Sequence, residues 1–100
     1  MQTRIIAKPV KVVIYNNSTS ATTSTWTLAI PSNDLRQGWV IENMSANPID
    51  IGIGDNTGSV TQILTLSAGE ITEQTQTVIT SSLFVKSGTA SQTFLATELN

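Results

Sequence analysis

The side chains that could do chemistry in this sequence are few. Asp50, Asp55, Glu70 and Glu73 are carboxylates close to turn-forming residues. A carboxylate pair can act as acid and base on a glycosidic bond, but such a pair works in a deep cleft that a chain of 100 residues can hardly build. Solvated turn positions are the expected role for all of them. There is no His and no Cys, which removes the commonest general base, the commonest metal ligand and every thiolate chemistry.

Other constellations are weaker. Asp55, Asn56, Thr57 and Ser59 offer hard oxygen ligands of the kind Ca²⁺ takes, yet the acidic spacing and terminal Glu of a calcium loop are missing, so a β-turn is expected there. Gly52-Ile53-Gly54 resembles a phosphate-cradling loop only superficially, because no helix follows to receive the phosphate. Close approach of backbone to a bulky partner such as Trp39 accounts for the glycines more simply. Trp26 and Trp39 could form a sugar-stacking platform, but both stand in alternating apolar segments and are expected in the core. Lys11, Glu42 and a late Asn are the residue types of a self-formed isopeptide bond, with no spacing that selects them over ordinary surface charges. We therefore assign no catalytic residue, no metal ligand and no cofactor, and the chain is read as not an enzyme.

Composition sets the frame around these residues. Only 12% of the chain is charged, against roughly 25% in ordinary domains, and 39% is hydrophobic. The charge is replaced by uncharged polar side chains, and with 16 Thr, 11 Ile and 7 Val the β-branched residues favour a pleated backbone. A net charge of −2 supplies no field for a polyanion, so nucleic acid and anionic membranes are not expected partners. Lys and Arg concentrate in the first half, leaving the second half at −3, an asymmetry that can help subunits dock. The first apolar run is broken by Lys8, Pro9 and Lys11, so it is expected to be neither a signal peptide nor a membrane span.

Period-two alternation predicts strands over 3–15 (one, or two broken at Pro9), 20–30, 38–44, 49–53, 60–66, 83–87 and 93–99. Turns are predicted over 16–19, 31–37, 45–48, 55–59 and 67–70, while 71–80 fits either an exposed strand or a loop. In the second of these strands Thr22, Ser24, Trp26, Leu28 and Ile30 share a face that buries near Trp26, opposite Thr23, Thr25 and Thr27. The pairs 38–44 with 49–53, and 83–87 with 93–99, are expected to be antiparallel hairpins. Seven or eight short strands make an all-β, compact antiparallel β-sandwich or β-barrel, one domain over 1–100 with its core in 36–99 and with 1–30 supplying an arm plus strands.

Strand edges with so few charges invite pairing with other chains, a liability in a monomer and an asset in a symmetric assembly. The uncharged residues Thr22, Thr23, Thr25, Thr27, Gln74 and Gln76 are the expected interaction surface.

Five segments carry a family resemblance: R-x-x-W-V-I-E-N at 36–43, N-P-I-D-I-G-I-G at 47–54, L-S-A-G-E at 66–70, L-F-V-K-S at 83–87 and F-x-x-x-E at 94–98. Their order is similar to that in small structural proteins of tailed bacteriophages. The resemblance implies a capsid decoration (cement) protein of the virion, made in the host cytoplasm. It further implies a homo-oligomer, a trimer in most such families, with the major capsid protein or other virion subunits as partners. A tail-fibre or head-fibre module contacting a host surface, and a carbohydrate-binding module, are the alternatives.

Overall fold

A computed structural model describes residues 11–55, 59–74 and 78–100. Among them are eight strands and no helix: β1 (Val12–Ser18), β2 (Thr27–Ile30), β3 (Gly38–Asn43), β4 (Ile49–Gly54), β5 (Val60–Leu66), β6 (Ile71–Gln74), β7 (Ser82–Lys86) and β8 (Thr93–Leu99). They form two four-stranded antiparallel sheets, β1-β8-β3-β6 and β2-β7-β4-β5. Strand 1 pairs with 8, 2 with 7, 3 with 6 and 4 with 5, the order of a long hairpin rolled up into a jelly-roll sandwich.

The inner faces come from alternation. Trp39 and Ile41 of β3, Phe94 and Ala96 of β8, Ile49 and Ile51 of β4, and Leu83 and Val85 of β7 are all buried, and they meet as one core. Trp39 keeps its indole satisfied there by donating to Gln74 Oε1 at 3.1 Å.

The rolled topology overturns two expected hairpins. β3 and β4 lie in different sheets, as do β7 and β8, and only β4 and β5 are consecutive strands of one sheet. The segments between such strands are therefore arches that cross from sheet to sheet. Their backbone groups cannot be satisfied by a hairpin ladder and need side-chain partners.

Arg36, just before β3, and Asn43, its last residue, each supply several of them. At one end Arg36, with a fully buried side chain, donates from Nε to Glu98 Oε2 at 2.7 Å. Its other nitrogens donate to the carbonyls of Ile79 (2.7 Å), Ser81 (3.0 Å) and Pro31. One guanidinium thus fastens both arches at that end, the one between β2 and β3 and the one between β6 and β7. Asn33 reinforces it by donating to Asn100 Oδ1 at 2.8 Å.

At the other end the buried Asn43 donates to the carbonyls of Asn47 (2.8 Å), Leu66 (3.1 Å) and Ser67 (3.2 Å), while its Oδ1 accepts from Ser45 N and Oγ. This ties the β3–β4 arch to the β5–β6 arch. The expected tight turn at 67–70 is present, with Gly69 at φ 78°, a conformation glycine adopts without steric cost. Glu70 closes the turn by accepting from Ser67 N at 2.6 Å, and that hydrogen bond holds its carboxyl below the usual glutamate value.

The amino-terminal third departs most from the sequence expectation. The expected turn at 16–19 is mostly strand, because β1 runs to Ser18. The expected strand over 20–30 is reduced to Thr27–Ile30, and residues 20–26 form an arch held by Ser24 N donating to Ser87 O and Ser91 N donating to Ser20 O. Within β2 the register shifts between Leu28 and Ile30, leaving Ala29 unpaired as a bulge. A one-residue bulge exchanges the faces beyond it, so Ile30 is buried while Leu28 is 45% exposed. Trp26 accordingly lies on the outer side and is not in the core, contrary to the alternation.

Removing the guanidinium leaves Glu98 Oε2 and three arch carbonyls without the donors that Arg36 supplies. Arg36→Ala is expected to lower the unfolding free energy by about 3–5 kcal/mol, read from urea midpoints followed by circular dichroism. Arg36→Lys should recover only part of this, since an ammonium cannot reproduce the planar fork.

Candidate assembly surface

The side chains turned outward decide what the sandwich can touch. On the β1-β8-β3-β6 sheet the outer positions are Val12 and Ile14 of β1, Leu95, Thr97 and Leu99 of β8, Val40 and Glu42 of β3, and Ile71 and Glu73 of β6. Val12 (55% exposed), Ile14 (62%) and Ile71 (58%) stand clear of their neighbours, and Val40, Leu95 and Leu99 are half-buried between them. In the register Ile14 pairs with Thr97, which has Val40 on its other side, and Val12 pairs with Leu99, so Val12, Ile14, Leu99 and Val40 gather around Thr97, while Glu42 separates Leu95 from Ile71. The charges of this face are carboxylates near the β6 side, Glu42 and Glu73. An apolar sheet face of this kind marks an interaction site more often than a monomer surface.

The outer face of the other sheet is built around Trp26. A Cβ at Gly52 would lie 2.9 Å from Trp26 Cη2 and 2.6 Å from Val60 Cγ1, so glycine is required for the indole to lie against the sheet. The glycine reading was correct in kind, with Trp26 rather than Trp39 as the bulky partner. Lys86 Nζ sits 4.5 Å from the centre of the Trp26 ring, a cation–π contact. Phe84 and Leu28 continue this face, and Asp50, opposite Lys86 in the register, accepts from Thr65 Oγ1 at 2.7 Å and Gln62 Nε2 at 3.2 Å.

The residues expected to form the interaction surface are not brought together. Thr22, Thr23 and Thr25 are exposed on the β1–β2 arch, and Thr27 begins β2 half-buried. Gln74 lies toward the opposite end, beside Trp39, where its Oε1 accepts from Trp39 Nε1 and Ile79 N, so it serves the fold. Gln76 lies outside the described residues. The alternation that grouped the threonines on one strand fails because that strand begins only at Thr27. The apolar outer face was hidden in the sequence by its mixture with inner positions: every strand that builds it except β6 also builds the core.

The remaining candidates stay apart. Asp55 and Asp34 border a polar depression of about 190 Å³ with Ser32, Gly54, Thr80, Ser81 and Ser82. Among the described residues no group of three acidic, His or Cys side chains could hold a metal ion. Asn56 and Thr57, named above as candidate calcium ligands, lie outside the described residues. Lys11 pairs through its backbone with Asn100, whereas Glu42 faces Leu95 further along β8.

No protein-family model matches the sequence. No curated protein matches it either. Among solved structures, a chain described by the words "Bacillus endospore appendages form a novel family of disulfide-linked pili" superposes with a TM-score of 0.56 at 15% sequence identity, over 99% of this chain and 96% of that one. At that identity the likeness concerns the fold, a two-sheet β-sandwich.

The two tryptophans stand in different environments, Trp39 being 2% exposed and Trp26 half-buried under Lys86. Acrylamide is expected to quench Trp26 and spare Trp39. Trp26→Phe should therefore leave emission with a several-fold lower Stern–Volmer slope, and an unchanged slope would contradict this placement.

Proposed function

We propose that this chain is a non-enzymatic structural subunit whose role is to assemble. The observation that carries the reading is the apolar outer face of the β1-β8-β3-β6 sheet, with Val12, Ile14 and Ile71 standing exposed on a chain of which only 12% is charged. Burying such a surface against another subunit strands no charge except the carboxylates at one side, and each buried apolar side chain contributes about 1.5–3 kcal/mol. Many modest contacts around a symmetry axis then sum to firm attachment.

The five motif segments support placing the subunit on a bacteriophage head, as a decoration protein seated on the major capsid protein. Several of the motif residues have structural duties: Arg36 and Glu98 form the buried pair, Asn43 holds two arches, and Glu70 closes a turn. A second reading, a subunit of a filamentous appendage, is favoured by the likeness of fold to the endospore-appendage chain. Disulfide links of the kind named for that chain could not be made by these residues, since there is no Cys among them. Cohesion would rest on strand pairing and apolar contact. A two-tryptophan glycan platform has less support, because Trp39 is buried and the ring of Trp26 carries Lys86.

Sedimentation and negative-stain microscopy over a wide concentration range, with and without undecorated phage shells, separate these readings. A small closed oligomer that binds the shells supports decoration, and concentration-dependent filaments in their absence support the appendage. A monomer at every concentration that ignores the shells would overturn the proposal.

A further inference from the structure

Sheets in this fold end at four edges among the described residues: β1 and β6 in one sheet, β2 and β5 in the other. Three of them carry features that obstruct addition of another strand. β2 is four residues long and bulged at Ala29. β5 shifts register opposite Ile51/Gly52, which leaves Ile63 as an extra residue in the edge strand. β6, four residues long among the described residues, includes Glu73.

β1 has none of these features. Its seven residues, VVIYNNS, contain no charge and no proline, and they pair with β8 in unbroken register from Val12 to Ser18.

The phase of its hydrogen bonds can be read directly. Lys11 N donates to Asn100 O and Asn100 N donates to Lys11 O, so Lys11 and Asn100 form a mutually bonded pair. In an antiparallel ladder such pairs alternate, so Val13, Tyr15 and Asn17 turn their main-chain groups toward β8. Thr19 N, donating to Gln92 O, continues the same odd phase. Val12, Ile14, Asn16 and Ser18 therefore turn theirs toward the edge that no other described strand covers. Ser18 N is already taken, donating to Asn17 Oδ1 at 2.8 Å. The open stretch runs from Val12 to Asn16, and its midpoint is Ile14.

We infer that β1 pairs antiparallel with β1 of a second copy, about a two-fold axis through Ile14. The inference rests on the assembly reading above and assigns its surface and partner. A second copy fits because the open stretch is self-complementary. With Ile14 on the axis, Val12 faces Asn16 of the other copy, so every residue that offers free groups meets one of the same phase, giving about six new main-chain hydrogen bonds. Neither strand brings a charge to oppose its copy. The two sheets become one continuous sheet, and Val12 and Ile14 of each copy join their apolar outer faces across the axis. Such an isologous contact closes on itself and gives a dimer, which can then serve as the unit of a larger assembly.

The test uses proline at the axis. Because the Ile14 N–H points away from β8, Ile14→Pro removes no intramolecular ladder bond, while it removes two donors on the two-fold and places two rings in the contact. Its dimer dissociation constant is expected to rise at least about tenfold, measured by sedimentation, with the circular dichroism spectrum unchanged. Should that variant misfold, Ile14→Lys, at a position already 62% exposed, opposes two charges on the axis and is expected to act alike. Ile14→Cys adds a positive readout. In a chain without Cys, mild oxidation should cross-link it to a dimer faster than Ile63→Cys, the matched control on the β5 edge.

Self-association that persists undiminished in folded Ile14→Pro or Ile14→Lys, or cross-linking no faster at Ile14 than at Ile63, overturns the β1 pairing and leaves the assembly reading standing. A wild-type chain that stays monomeric even in the presence of shells overturns both.

Discussion

The guanidinium of Arg36 is the interaction on which the rest of this fold depends. A sandwich whose consecutive strands mostly lie in different sheets must carry its chain across the gap again and again, and each crossing turns main-chain carbonyls away from any ladder. Left dry and unpartnered, each such group costs about 1–3 kcal/mol. Arg36 supplies several donors in one rigid plane, and its charge is balanced at 2.7 Å by Glu98, which β8 brings in from the opposite end of the sequence. Burial of the pair alone would be unfavourable or neutral. It is retained because the same group satisfies the Pro31, Ile79 and Ser81 carbonyls. Asn43 solves the equivalent problem at the other end with a neutral amide, and among the described residues no buried side-chain polar atom is left without a partner.

Local irregularities then decide which groups face out. The bulge at Ala29 exchanges the faces of β2 and sends Leu28, with Trp26 before it, to the outside. Gly52 provides the room for the indole, and Lys86 covers it. This outer face is thus largely occupied by its own side chains. The apolar surface that remains open lies on the outer face of the other sheet, between β1 and β6.

These devices differ in how legible they are in the sequence. β5 and β8 fall where alternation places them, over 60–66 and 93–99: β8 alternates unbroken, and the extra residue at Ile63 exchanges the faces of β5 without ending the strand. The turn at 67–70 is legible because Gly69 and Glu70 each have a distinct mechanical role. The hairpins were not, since alternation and turn residues describe a strand and its end but not whether the next strand pairs with it or faces it across the core. Arg36 illustrates the same limit. In the sequence it is one charged residue in a polar loop, and its value comes from Glu98, 62 positions later. Trp26 and the threonines around it were misplaced for a third reason: Thr and Ser suit both an alternating strand and an arch, so the pattern over 20–26 does not separate them.

The low charge of the chain now has a physical place. Surface charges serve a monomer by keeping its edges and faces apart from those of other chains, at small cost to the fold. Here the interior polar problem is solved locally by Arg36 and Asn43, so the fold needs little from the surface. The edges of β2 and β5 are blunted by bulges instead of lysines, a form of protection that costs no solubility in an assembled state and leaves neighbouring uncharged surface free to pack. Bulges act one strand at a time, whereas charges act on everything within a Debye length. Under the proposed β1 pairing, a chain that blocks some edges geometrically and leaves another regular, uncharged and bordered by Val12 and Ile14 associates in one direction without aggregating in all of them.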